Sequence, residues 1–250
     1  TRGRFYEEAG ALRDMVQNHL LQLLAMVAME PPVAFEAAAI RDEKQKVLRA
    51  IRPIDPREAE RAAVRGQYGE GTADGARVPG YRSEPGVSPS SRTETFAALR
   101  LFVDNWRWAG VPFYLRTGKR LPATVTEVRI RFGHIPHILF RDLPEEQHCP
   151  NELSLRIQPD EGISLSFGAK VPGAAMAIRP VTMEFSYAKS FGDGPAPAYE
   201  RLVLDALRGD ASLFIRGDGA EAAWAVVQPV LDAWERQPPA SLPQYAAGTW

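Results

Sequence analysis

The feature that most constrains the fold is a change of repeat near Arg92. Before it, apolar residues recur at helical spacing; after it, they recur at every second residue. Val128, Ile130 and Phe132 alternate with Glu127, Arg129 and Arg131, and Leu153, Leu155 and Ile157 alternate with Glu152, Ser154, Arg156 and Gln158. One apolar and one polar face per strand is the pattern of an antiparallel sheet covered on one side. Strands are therefore predicted over Thr95 to Trp106, Val111 to Arg116, Thr126 to Phe132, Glu152 to Gln158, Ile163 to Phe167 and Val181 to Tyr187. Helices are predicted over Glu8 to Glu30, which Pro31-Pro32 ends, and over Arg41 to Arg52, Pro197 to Arg208 and Gly219 to Glu235. A short helical turn is predicted within Asp55 to Arg65. Helices flanking a run of strands give an α+β fold, with a large, mostly antiparallel sheet and helices packed on one face.

The segment Val64 to Arg92, rich in Gly, Pro and Ser, reads as an extended ordered loop. Its Gly69-Glu-Gly71-Thr run lacks the frame of a phosphate loop. A formal charge of -1 argues against nucleic acid as a partner. The longest apolar run, Leu20 to Met29, is interrupted by Gln22 and too short to span a bilayer, so no membrane role is expected. Cys149 is the single cysteine, which excludes an intrachain disulfide and suits a reducing, cytoplasmic compartment. His134, His137, His148 and Cys149 lack metal-ligand spacing, and no metal is expected.

The first helix carries a histidine among its hydrophobes. At roughly 100° per residue, His19 falls within the arc of Leu12, Met15, Val16, Leu20, Leu23, Leu24 and Val27. Two readings stand: a satisfied core histidine, or a general base beside the polar run Arg13, Asp14, Gln17 and Asn18. A base needs a carboxylate to orient its second nitrogen. Asp14 lies about 140° from His19 on an α-helical wheel, so that partner is expected from another segment. Arg116, Lys119 and Arg120 cluster at a glycine turn, as either an anion site or a solvated tip. Arg129, Arg131 and Arg156 either add to an anion site or pair across strands with Glu127, Glu152 and Glu184.

Six segments together carry a family resemblance. They are Gly10-Ala-Leu-Arg-Asp-Met-Val-Gln-Asn-His-Leu-Leu-Gln, Arg41-Asp-Glu-Lys-Gln-Lys-Val-Leu, Val64-Arg-Gly-Gln-Tyr, Asn105-Trp-Arg-Trp-Ala-Gly-Val-Pro-Phe-Tyr-Leu-Arg-Thr-Gly-Lys, Asn151-Glu-Leu and Ala198-Tyr-Glu-Arg-Leu. In this order they resemble the glucose-6-phosphate dehydrogenases, the bacterial branch above all, over nearly the whole chain. The resemblance implies one domain over residues 1–250, the carboxy-terminal substrate-binding and dimerisation domain with its base helix. It implies oxidation of D-glucose 6-phosphate by NADP+ to 6-phosphogluconolactone, the first step of the oxidative pentose phosphate pathway. It implies His19 as the general base and Asp14 and Lys119 as substrate ligands, and it implies a homodimer or larger homo-oligomer formed through the sheet.

Nothing here resembles the family's Rossmann domain, which is expected to bind most of the NADP, or its Arg-Ile-Asp-His-Tyr-Leu-Gly-Lys segment. Thr1 opens the chain without an initiator Met, and the expectation is a piece of a larger polypeptide, inactive alone. Thr124 stands where the family usually has a second basic residue, and Arg120 is the neighbour that could replace it. Arg116, Arg129 and Arg156 match basic positions of a second, structural NADP site in animal members. Ser164-Leu-Ser166 replaces that site's Tyr-Thr-Lys, which argues against a second nucleotide here. Two other functions compete with the enzyme reading: a non-catalytic homologue that pairs subunits through its sheet, and a sugar-phosphate-binding sensor module.

Overall fold

The computed structural model describes residues 2–73, 75–133, 150–173, 177–192, 198–238 and 242–249. The opening stretch is helical but is not one helix. Helix α1 (Arg2–Ala11) runs into a π-helical segment (Leu12–Leu20) and then α2 (Leu21–Ala28). The break is at Gly10, whose φ of 69° belongs to the left-handed region that glycine enters freely. A Cβ at Gly10 would sit 2.5 Å from Glu94 Oε1. Glu94 fills that space because its carboxylate accepts the Leu12 N–H at 2.9 Å and its carbonyl accepts the Ala11 N–H at 3.0 Å.

In the π-helical segment hydrogen bonds run from i to i+5. The Leu21 N–H bonds the Val16 carbonyl, and the buried stripe runs Leu12, Val16, Leu21, Leu24, Ala25, Ala28. The step from Val16 to Leu21 is one such widened turn. Leu21 thus enters the core in place of Leu20, and His19 turns outward. The continuous α-helix expected over Glu8 to Glu30 is corrected in this respect.

Residues Thr1–Pro122 and Tyr199–Trp250 form one compact unit and Ala123–Ala198 a second. The first contains α3 (Ala37–Ala50), α4 (Ala59–Ala62), β1 (Ala63–Gly69), β2 (Gly71–Ala73), β3 (Ala76–Val78), β4 (Phe96–Phe102) and β5 (Pro112–Gly118). Its sheet has the order β10-β1-β4-β5, where β10 is Gln244–Ala246 and pairs parallel to β1. Strand β4 runs antiparallel to both neighbours, with Ala63 opposite Leu99 and Phe96 opposite Gly118. Buried side chains from α2 (Leu24, Ala28), α3 (Val47, Leu48), β4 (Leu99, Leu101) and the long helix Gly217–Arg236, α7 (Val227, Val230, Trp234), belong to one cluster. Each large apolar side chain buried in this way contributes about 1.5–3 kcal/mol of transfer free energy.

Strands β1 to β3 and a 3₁₀ turn at Tyr81–Ser83 occupy much of the segment expected to be a loop. Gln67 is fully buried in β1. It donates to the Thr93 carbonyl at 2.9 Å and accepts from Arg82 Nε at 2.9 Å. A glutamine in a core position, next to Gly66, hid the strand's alternation. The strand expected over Thr95 to Trp106 ends at Phe102, and a turn follows in which Asn105 Oδ1 accepts the Trp108 N–H at 2.9 Å.

The second unit is an antiparallel sheet, β6-β7-β8-β9, from Thr126–Arg131, Glu152–Gln158, Gly162–Lys170 and Ile178–Ser186. Helix α5 (Tyr187–Phe191) follows β9, and its Tyr187 packs edge-on against Phe185 with centroids 4.9 Å apart. Helices α6 (Ala198–Arg208) and α7 (Gly217–Arg236) come next in the chain. The α+β reading is borne out. The strands, expected in one large sheet, are paired among the described residues in two four-stranded sheets and a β2-β3 ribbon. Among the described residues, no helix is long and apolar enough to cross a membrane. The zinc candidates His134, His137, His148 and Cys149 lie outside the described residues.

Candidate functional site

Lys119 follows the last residue of β5. Its N–H bonds the Thr95 carbonyl at 2.9 Å, and its own carbonyl accepts the Tyr245 hydroxyl at 2.7 Å. Gly118 lets the turn close, since a Cβ there would lie 2.9 Å from Phe96 Cδ2. The backbone of Lys119 is thereby fixed while its side chain reaches toward the π-helical segment. Its ammonium lies 3.7 Å from Asp14 Oδ2 and 4.8 Å from the centroid of the Tyr6 ring. The side chains of Lys119 and Asp14 are 43% and 23% exposed, so a ligand could reach both. An ion pair so exposed adds little stability. What it does provide is an ammonium donor and a carboxylate acceptor side by side, suited to an anionic, hydroxylated ligand.

His19 lies on the same π-helical segment as Asp14. The structure corrects its placement: its side chain is exposed, outside the apolar stripe, because of the widened turns. Asp14 and His19 are five positions apart, the span of one i to i+5 hydrogen-bonded turn of a π-helix. The 140° separation drawn from α-helical spacing therefore does not apply here. Even so, Asp14 is occupied by Lys119, and no described residue hydrogen-bonds the imidazole. Gln17 ties the segment to α7 by donating to the Ala220 carbonyl at 3.5 Å.

Beneath these groups lie residues that sequence reasoning missed. Tyr6 is buried and its hydroxyl has no partner among the described residues. Burial, with the Glu94 and Asp14 carboxylates nearby, pushes its ionisation well above the usual tyrosine range, so it stays a neutral face for the Lys119 cation. Burial also pushes the Glu94 carboxyl upward, against the Leu12 N–H and the charges of Arg65 and Arg13. The resemblance marked neither residue. Both reach the site through contacts distant in sequence, and nothing in the spacing signalled them.

The remaining cations divide differently. Arg120, with φ of 55°, pairs with Glu84 at 3.5 Å. Arg129 pairs with Glu127 at 2.9 Å, Arg131 with Glu152 at 3.5 Å and Arg156 with Glu184 at 2.7 Å. The pairing reading of the sheet arginines is what the structure records. Arg116 is on β5 in the first unit, whereas Arg129 and Arg156 are in the second. Among the described residues no cluster of His, Cys, Asp and Glu could hold a metal.

Nor do the described residues fit a nicotinamide dinucleotide. Parallel pairing is confined to β1 with β10, and Gly69-Glu70-Gly71 links β1 to β2 instead of leading from a strand into a helix.

Comparison with known proteins gives a consistent set of likenesses. The family model for the glucose-6-phosphate dehydrogenase C-terminal domain matches residues 1–250. A glucose-6-phosphate 1-dehydrogenase of Aggregatibacter actinomycetemcomitans is 54% identical over 250 residues, covering 100% of this chain and 49% of that protein. One from Rhizobium meliloti (strain 1021) is 49% identical over 252 residues, covering 100% of this chain and 50% of its own. A solved glucose-6-phosphate dehydrogenase in complex with its substrate glucose-6-phosphate superposes with a TM-score of 0.85 at 38% identity, over 99% of this chain and 49% of that one. The crystal structure of the Mycobacterium avium enzyme gives 0.81 at 43% identity, over 100% and 49%. The chain spans about half the length of the curated relatives it matches.

Proposed function

The chain belongs to the glucose-6-phosphate dehydrogenase C-terminal-domain family, and from that premise we propose that it is the substrate-binding part of an NADP-dependent oxidoreductase acting on D-glucose 6-phosphate. The observation that carries this reading is the meeting of Asp14 and Lys119 at 3.7 Å, on the segment that also presents His19. Asp14 is 105 residues from Lys119, and the pair joins an acceptor for sugar hydroxyls to a cation for the phosphate-bearing ligand. His19, exposed and without a bonding partner among the described residues, accepts the proton of the C1 hydroxyl. Loss of that proton and of a hydride from C1 turns the hemiacetal into the lactone. The hydride acceptor is a nicotinamide dinucleotide, held outside the described residues. Asp14 and Lys119 orient the ring so that the C1 hydroxyl faces the imidazole.

The setting of this reaction is the cytoplasm and the oxidative branch of glucose catabolism. The 250-residue chain by itself is expected to produce no NADPH from glucose 6-phosphate, because its described residues supply neither a dinucleotide site nor a carboxylate bonded to the base. The check is absorbance at the NADPH band against a His19→Ala control, and a rate above that control contradicts the expectation.

The assembly is a homodimer or larger homo-oligomer through the second unit's sheet. Ile157, Ile163, Val181 and Met183 are exposed there, and a two-fold axis is the commonest way to cover such a face. Sedimentation at micromolar concentration is expected to show a species at twice the 27.6 kDa chain mass or more. A lone 27.6 kDa species would remove the sheet as a self-sufficient interface.

A further inference from the structure

The two parts of the sugar-phosphate site come from segments far apart in sequence, yet they are fastened to two adjacent residues, one part to Glu94 and the other to Thr95. Glu94 holds the start of the π-helical segment twice, through its carboxylate to the Leu12 N–H at 2.9 Å and through its carbonyl to the Ala11 N–H at 3.0 Å. Thr95, its neighbour, holds the other part: its carbonyl accepts the Lys119 N–H at 2.9 Å. Its hydroxyl accepts the Tyr68 N–H at 2.9 Å and lies 3.0 Å from the Tyr245 hydroxyl, which donates to the Lys119 carbonyl at 2.7 Å. Both residues are buried, Glu94 6% exposed and Thr95 fully enclosed. The rigid path from Asp14 to Lys119 is therefore Leu12, Glu94, Thr95 and Lys119, with each link a short hydrogen bond or a covalent step.

Burying the Glu94 carboxylate costs solvation, which the Leu12 N–H and the nearby charges of Arg65 and Arg13 oppose. Features that cost stability locally tend to sit at functional positions. Here the cost falls on the residue that sets where Asp14 and His19 begin relative to Lys119. Gly10 completes the device, because a side chain there would strike the Glu94 carboxylate.

We infer that Glu94 and Thr95, with Tyr245, form a positioning clamp that fixes the separation of Asp14 and Lys119 and hence the grip on the sugar phosphate. The inference rests on the sugar-phosphate reading of the site, and its test keeps the two apart. The experiment uses the dehydrogenase that carries this segment, with kcat and KM for glucose 6-phosphate measured per folded protein.

Glu94→Gln keeps an oxygen for the Leu12 N–H and is expected to stay within about threefold of the parent in kcat/KM. Glu94→Ala removes it, and is expected to raise KM and lower kcat by about tenfold each, because small misplacements of a bound substrate are costly. Tyr245→Phe retains the ring contacts to Tyr68 and Phe96 and deletes only the hydroxyl. It loosens Lys119 alone, so KM is expected to rise about threefold to tenfold with kcat nearly unchanged. This variant carries the test if Glu94→Ala does not fold.

A clamp of purely structural consequence would lower Tm in these variants and leave KM and kcat of the folded fraction at parental values; that result overturns the inference. Lys119→Ala runs beside them. If it raises KM while the clamp variants do not, the clamp fails and the site stands. If Lys119→Ala leaves KM unchanged, the site reading fails and takes the clamp with it.

Discussion

Replacing His19 by asparagine in the dehydrogenase that carries this segment is expected to lower kcat by about 10²–10⁴-fold, the range a positioned general base supplies. KM for glucose 6-phosphate is expected to stay within about threefold, because loss of a base falls on the chemical step rather than on ground-state binding. The structure makes this a clean substitution. His19 is exposed and no described residue bonds its imidazole, so the change opens no cavity and strands no partner among the described residues. Tm is accordingly expected to hold, surface substitutions of this kind usually lying within about 0.5 kcal/mol. Steady-state kinetics with a melting curve on the same sample checks both statements. A parental kcat would return His19 to an ordinary surface residue.

Lys119→Ala is expected to act on the other parameter. A hydrogen bond to a charged group is worth about 1.5–3 kcal/mol. Its loss from substrate and transition state alike raises KM tenfold or more and leaves kcat near the parental value. Stability should change little, since the Asp14–Lys119 pair spans 3.7 Å with 43% of the lysine side chain in solvent. The cation–π contact with Tyr6, at 4.8 Å, adds to that small loss. The same assay checks this expectation. A mutant with unchanged KM would remove Lys119 from the site and leave its contact with Asp14 as surface pairing.

Several elements were legible in the sequence because one physical cause governed them. Strand β7 lies at Glu152–Gln158, as its alternation predicts, and α7 extends only a residue or two beyond its expected ends. In both, burial on one face sets the pattern and nothing competes with it. Strand β1 escaped because Gln67, a polar residue satisfied by Thr93 and Arg82, occupies a core position beside Gly66. The π-helical segment escaped for a different reason. Its apolar residues fit an α-helical wheel, and the i to i+5 hydrogen bonding that widens its turns leaves no mark in that spacing. The widened turns carry His19 out of the apolar arc in which the sequence places it.

The candidate site shows the same division. Asp14, His19 and Lys119 were each identifiable through the family resemblance, but no spacing argument brings Asp14 to Lys119. The tertiary ties through Glu94, Thr95 and Tyr245 do that. The arginines of the β6–β7–β8–β9 sheet were readable either as an anion site or as pairs, and the structure records pairs, across strands for Arg131 and Arg156 and within β6 for Arg129. Glu127, Glu152 and Glu184 lie within reach of Arg129, Arg131 and Arg156.

On the proposed reading, Lys119 and Asp14 grip the sugar phosphate while His19 performs the proton transfer. Calorimetric titration of glucose 6-phosphate into the parental dehydrogenase and its His19→Asn and Lys119→Ala variants tests it most directly. His19→Asn is expected to bind within about threefold of the parental Kd, and Lys119→Ala to weaken binding by tenfold or more. Binding by Lys119→Ala as tight as the parent's would contradict it.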